Sequence, residues 1–261
     1  MACLVPGLLR PSMAKELYAA HGYSSTTKGK VESYCNVAQH LYDQGCGFSA
    51  RFPLSLARRN VYAITVNDKF SIRDKIVSLC KIAQVRSLLT VDSPIELEEA
   101  RHLDDIVPFA EKRACEFAWS QVYYELGKAC VAAGENYAQS YLTTAREYLR
   151  NGYHVDEHGK LVHIGEGEIL VVDALCKIAV EEQKIARGHS ALTLKIALEK
   201  AEYMCFVAPY LQAERLVTIS DLYFSFDPEK AKEVLTHANE IMRKAWDPRR
   251  QELIACAKAK L

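Results

Sequence analysis

The feature that most constrains the fold of this chain is an internal repeat. The pentapeptide Leu-Cys-Lys-Ile-Ala at 79–83 recurs identically at 175–179, 96 residues later. In both copies an apolar residue stands three positions earlier, Ile76 in one and Val172 in the other. This spacing is typical of one face of an α-helix. Each copy leads through a polar stretch into a second segment that is also predicted to be helical.

Four predicted helical segments, including the two that follow the pentapeptides, align with one another around a central alanine. The segments are 95–106, 138–149, 191–204 and 231–242, with central alanines Ala100, Ala145, Ala201 and Ala238. A small residue at this position lets two helices approach closely, and the large apolar residues three or four positions later fill the groove between them. Successive alanines lie 45, 56 and 37 residues apart, and each interval fits one helical hairpin with a variable loop. The pattern predicts an all-α fold of antiparallel helix pairs.

Three dipeptides predict where helices begin. They are Ser93-Pro94, Asp227-Pro228 and Asp247-Pro248. In each, a side chain that can accept from free backbone N–H groups precedes a proline, which lacks an N–H and is well tolerated in the first turn. We therefore expect Ser93, Asp227 and Asp247 to be N-caps.

Residues 119–150 contain a Leu-Gly pair, a turn glycine and two alanines seven positions apart. The residues of this pattern are Leu126-Gly127, Cys130, the turn glycine Gly134, Ala138, Leu142 and Ala145. The pattern resembles a tetratricopeptide repeat. At family level the resemblance covers about residues 70–250. It implies a right-handed α-solenoid of antiparallel helix pairs, in which Gly127 permits a tight helix crossing and Gly134 supplies permissive backbone angles.

Two segments do not repeat. Residues 1–60 form an N-terminal helical segment with helices predicted near 12–20, 30–43 and 53–60, and they either cap the repeat domain of 61–261 or dock a partner. Residues 151–168 interrupt the helical rhythm. The segments 153–155 and 160–163 flank the turn-like 156–159, and this arrangement predicts a short β-hairpin at 153–163. We refer to 151–168 as the histidine-rich insertion.

The insertion also contains the candidate metal ligands. These are His154, Asp156, His158 and His163. Imidazole and carboxylate groups together can bind a divalent transition metal, although a hairpin tip is often polar simply because it is solvated. The insertion supports the alternative function, an all-α enzyme or a small-ligand or metal-binding protein.

Composition and the remaining charge patterns exclude several classes of function. Lys plus Arg equals Asp plus Glu at 33 each, so no net charge attracts nucleic acid. The basic pairs 58–59 and 249–250 are too short to change this expectation. The acidic run of Glu96, Glu98, Glu99, Asp104 and Asp105 is interpreted as a solvated helix face.

No motif in the sequence carries catalytic chemistry. Phosphate-binding and dinucleotide-binding glycine loops, the nucleophile elbow and the zinc-protease helix are all missing from the sequence. No apolar stretch approaches the roughly 18 residues of a membrane-spanning helix. The chain has nine cysteines, an odd number, and near its N-terminus the basic residue follows the apolar run, which is the wrong order for a secretory signal. Both observations favour a reduced cytoplasmic protein. We expect no catalytic residue, cofactor or membrane partner.

The first hypothesis is therefore a non-enzymatic adaptor or scaffold. Stacked hairpins create an extended concave surface that binds a protein or peptide without catalytic groups. A first helix normally lines the concave side of such a repeat, so Tyr124 and Lys128 are the predicted peptide contacts.

Overall fold

The structure of the protein is a computed structural model. It describes residues 26–66, 68–90, 94–151, 164–202, 204 and 209–245. Within these ranges the chain forms eleven α-helices and no strand, as the all-α prediction requires. The helices are α1 (Thr27–Asp43), α2 (Gly47–Val61), α3 (Lys69–Leu89), α4 (Ile95–Asp105), α5 (Phe109–Arg113), α6 (Glu116–Ala133), α7 (Ala138–Asn151), α8 (Ile164–Ile185), α9 (Arg187–Glu202), α10 (Pro209–Tyr223) and α11 (Pro228–Lys244).

The repeated segments are helices whose shared apolar positions are buried. The two copies of the pentapeptide lie in α3 and α8, and their leucine, isoleucine and alanine side chains are all in the core. The four alanine-centred segments lie in α4, α7, α9 and α11. Their central alanines are all buried: Ala100, Ala145, Ala201 and Ala238. The spacing that predicts a buried helical face is confirmed at each of these positions.

The chain divides into two compact units. The N-terminal unit contains the described residues up to Pro108 together with Lys128–Asn136. In this unit α1 packs against α2 and α3, α2 also packs against α3, and α3 packs against α4. An ion pair between Arg101 and Glu135 attaches the turn that follows α6 to α4.

The C-terminal unit contains Phe109–Gly127 and the described residues from Tyr137 onwards. Each of its later helices packs against the next, so that α7 contacts α8, α8 contacts α9, α9 contacts α10 and α10 contacts α11. In addition, α8 packs against α10. No helix within the described ranges of either unit is both long and apolar enough to cross a bilayer.

Helix ends follow local sequence signals with two differences from the predictions. The Asp227 carboxylate accepts from the Lys230 N–H at 3.0 Å, so this predicted N-cap is confirmed. At α4, by contrast, Pro94 itself occupies the N-cap position and makes no side-chain cap hydrogen bond, so the prediction of Ser93 as this N-cap is wrong. Ser93 and the third predicted N-cap, Asp247, lie outside the described residues. The second difference is that α2 begins at Gly47, before the predicted start, and includes the buried Pro53 at the loss of one backbone hydrogen bond. Gly134 has a positive φ of 70°, as its predicted turn role requires.

The histidine-rich insertion is bounded by two long helices. Helix α7 ends at Asn151 and α8 begins at Ile164. The last five residues of the predicted insertion, 164–168, are therefore helical. The predicted hairpin at 153–163 and the predicted helix at 12–20 lie outside the described residues.

Candidate functional site

The helices α6 and α7 make a tight contact at a glycine, Gly127. A Cβ atom added at Gly127 would lie 2.7 Å from both Cγ and Cδ2 of Leu142 and 3.3 Å from its backbone nitrogen. Leu142 is fully buried. Because real Cβ atoms do not approach other atoms this closely, only glycine fits here without movement of Leu142 or separation of the helices.

Aromatic side chains pack beside this crossing. The Tyr123 ring stacks on Tyr141 with centroids 6.2 Å apart and meets the edge of Tyr148 at 5.4 Å. The Lys112 ammonium from α5 lies 5.2 Å from the centroid of the Trp119 ring. Trp119, Tyr123 and Tyr148 are buried, so these aromatic residues belong to the core.

Tyr124, the first predicted peptide contact, lies on α6 and is half-buried. Burial raises the pKa of its phenol, and the carboxylates of Glu125 and Glu181 raise it further. Tyr124 therefore remains a neutral phenol at physiological pH, able to donate one hydrogen bond and to accept others.

Lys128, the second predicted contact, lies on the same helix four residues later. Its side chain is also half-buried. The boundary between the two compact units falls immediately before it. Its ammonium supplies up to three donors and a positive charge.

The four candidate metal ligands belong to the histidine-rich insertion. His154, Asp156, His158 and His163 all lie outside the described residues. Within the described ranges, no group of three or more His, Cys, Asp or Glu side chains is arranged to hold a metal ion.

A buried ionic cluster connects α7, α8 and α9. The Arg146 Nη1 atom lies 3.0 Å from the Glu182 Oε1 atom and 3.2 Å from the Thr193 hydroxyl oxygen, and the Thr193 hydroxyl donates to Glu182. Both charged side chains are almost fully buried. Burial raises the pKa of Glu182, while the Thr193 hydrogen bond and the Arg146 charge oppose that shift. The cluster therefore links side chains of three helices inside the core, where removal of one charged partner would leave the other buried and unpaired.

A second ionic group surrounds Glu96, the first member of the acidic run. The Arg86 Nη1 atom contacts the two carboxylate oxygens of Glu96 at 2.8 and 2.9 Å, and the Arg58 Nε atom lies 3.2 Å from one of them. Glu96 is fully buried and Asp104 is buried as well. The interpretation of the acidic run as a solvated face is therefore wrong for these two residues, whereas Glu98 and Asp105 are exposed.

These arginines line a cleft of about 340 Å³ between α2, α3 and α4, which we call the arginine cleft. Its lining residues are Arg51, Leu54, Ser55, Arg58, Ile82, Arg86, Leu89, Thr90 and Glu96. A second, larger cavity of about 530 Å³ lies in the C-terminal unit, and charged side chains of both signs line it, including Lys195, Glu199 and Asp227. The arginine cleft is lined by three basic residues and one acidic residue, whereas the second cavity is lined by two basic and three acidic residues, so only the arginine cleft has an excess of positive charge.

Comparisons of the chain with protein-family models, with curated proteins and with solved structures find no match. Function is therefore inferred from the chain's own residues.

Proposed function

We propose that this chain is a non-enzymatic adaptor that binds a protein or peptide on the concave face of a right-handed, tetratricopeptide-like α-solenoid. The observation that carries the proposal is the contact of Gly127 with Leu142, because a tight glycine crossing at this position is what the resemblance at 119–150 implies. The buried alanines at the centre of α4, α7, α9 and α11 give further support. Hairpins that pack through such small residues form a continuous surface for a ligand.

Tyr124 and Lys128 are the proposed peptide contacts on α6. A neutral phenol and an ammonium group suit the carbonyl oxygens and carboxylates that an extended peptide presents. Both side chains are half-buried, so each already has part of its conformational freedom restricted before a ligand binds.

The proposed partner is a protein or peptide in the cytoplasm. The equal numbers of basic and acidic residues give nucleic acid no overall electrostatic attraction. The six cysteines within the described ranges are free thiols, and five of them are buried, which suits a reducing compartment.

A peptide-display selection on the intact chain tests this function. We expect selected peptides, once synthesised and labelled, to bind with micromolar affinity in fluorescence anisotropy. Lys128→Ala should weaken binding about three- to ten-fold, because a charge-assisted hydrogen bond is lost. Lys244→Ala on α11 is the matched control, since Lys244 is exposed and lies far along the sequence from the proposed contacts.

Two results would count against the proposal. A selection that yields no peptide with measurable affinity for the folded chain would contradict the adaptor function itself. Equal affinities for wild type, Lys128→Ala and Lys244→Ala, all with native circular dichroism spectra, would instead show that the contact assigned to Lys128 is wrong.

A further inference from the structure

The arginine cleft has an unbalanced positive charge. Three guanidinium groups, from Arg51, Arg58 and Arg86, line it together with the single carboxylate of Glu96. Glu96 is fully buried, and its contacts are with Arg58 and Arg86. The lining therefore carries three positive charges and one negative charge, which leaves a net positive charge facing the cleft.

Glu96 also holds two of the arginines in place. Arg86 uses one terminal nitrogen for the carboxylate, and Arg58 uses its Nε atom. Each guanidinium has five N–H donors, so both retain donors after binding Glu96. Because the carboxylate fixes their positions, less conformational entropy is lost when a second anion binds these remaining donors.

Part of the lining of the cleft is apolar. Leu54, Ile82 and Leu89 line it, and Ile82 is fully buried. A short aliphatic stem that carries an anionic group fits this combination of apolar and cationic lining residues.

Aromatic side chains continue this surface along α2. Phe48 is 69% exposed and Phe52 is 47% exposed, one helical turn apart. The Arg51 guanidinium lies 5.9 Å from the centroid of the Phe48 ring. A cation that lines the cleft is thus directly beside an exposed apolar surface, so the surface matches a ligand that has an acidic group next to an apolar side chain.

We infer that the arginine cleft binds an acidic side chain of a peptide partner, with an adjacent apolar residue of that peptide packed on Phe48 and Phe52. Charge complementarity selects this occupant. The inference rests on the proposed adaptor function and names the chemistry of its partner. The chain's own residues 1–25 match the cleft poorly, because they contain Arg10 and Lys15 but only one acid, Glu16.

The test uses a defined probe and the full chain. The probe is a fluorescein-labelled peptide in which glutamates flank a phenylalanine, and its counterpart replaces each glutamate with glutamine. We expect the chain to bind the glutamate probe, with an affinity that falls as the salt concentration is raised. In Arg51→Gln the affinity for this probe should be about ten-fold lower. Arg51 is the residue to change because, among the described residues, Glu96 pairs with Arg58 and Arg86 and not with Arg51. Arg59→Gln is the matched control, since Arg59 is exposed on the same helix but does not line the cleft.

A second variant tests the aromatic part of the surface. Phe52→Ala should weaken the glutamate–phenylalanine probe and leave a glutamate–alanine probe unchanged. Millimolar inorganic phosphate should compete with both probes if the arginines recognise the anionic group.

Several outcomes would overturn the inference. One is equal binding of the glutamate and glutamine probes, and another is an equal effect of Arg51→Gln and Arg59→Gln. A dimer that Arg51→Gln dissociates would assign the cleft to a second copy of the chain. If the probe fails to bind while display-selected peptides bind through Lys128, only this inference fails. If neither kind of peptide binds, the adaptor function fails with it.

Discussion

Replacement of Gly127 by alanine is the sharpest test of the α6–α7 hairpin. In an unhindered helix interior, Gly→Ala stabilises a protein by about 1 kcal/mol because alanine has the higher helix propensity. Here the new Cβ atom would lie 2.7 Å from two side-chain atoms of the buried Leu142. Overpacking of a core costs about 1–3 kcal/mol, and contact with two atoms favours the upper part of that range. We therefore expect a net destabilisation of about 1–2 kcal/mol.

Urea denaturation followed by circular dichroism measures this difference. Gly188→Ala in α9 is the control, because no atom lies within 4 Å of the Cβ position there, and it should be neutral or slightly stabilising. Leu142→Ala should cost less in the Gly127→Ala background than in wild type, since the smaller side chain relieves the contact. If Gly127→Ala were as stable as wild type or more stable, the tight crossing would be refuted.

Three further predictions concern other parts of the molecule. Arg146→Met should destabilise the chain by about 3–5 kcal/mol at pH 7, because it leaves the Glu182 carboxylate buried without its cation. In wild type, burial raises the pKa of Glu182 in the folded chain above 4.5. The contribution of the Glu182 proton to the free energy of unfolding is therefore largest below that pH, and it is lost as the pH rises through the folded-state pKa. The penalty of Arg146→Met, measured by urea denaturation, should therefore shrink as the pH is lowered from neutrality, and an unchanged penalty would argue against the buried charge. Iodoacetamide should label Cys46 faster than Cys35, whose pKa burial raises to about 12, and equal rates by peptide mapping would contradict the described burial. Elemental analysis of chain purified without added metal should find no stoichiometric zinc, iron or manganese; a metal lost on replacing His154 and His158 would instead favour the alternative function.

The helical segments and their buried alanines were predictable because the signals are local. Apolar spacing within one helix identifies its buried face without knowledge of the neighbouring helix. Asp227 was likewise predictable as an N-cap, because the donor that it binds, the Lys230 N–H, lies three residues along the chain.

The charged sites were not predictable from local patterns. Glu96 lies in an acidic run that looks solvated, but its partners Arg58 and Arg86 come from two other helices. Arg146 and Glu182 are 36 residues apart and meet only when α7 packs on α8. Pairing across helices leaves no periodic trace in the sequence, so the arginine cleft and the buried cluster appear only in the folded chain.

Hydrogen–deuterium exchange of the chain with and without a display-selected peptide tests the central claim most directly. The adaptor function predicts that the peptide slows exchange in the first helices of the hairpins, above all in α6 around Tyr124 and Lys128. Slowed exchange confined to the histidine-rich insertion, with α6 unchanged, would contradict binding on the helical repeat.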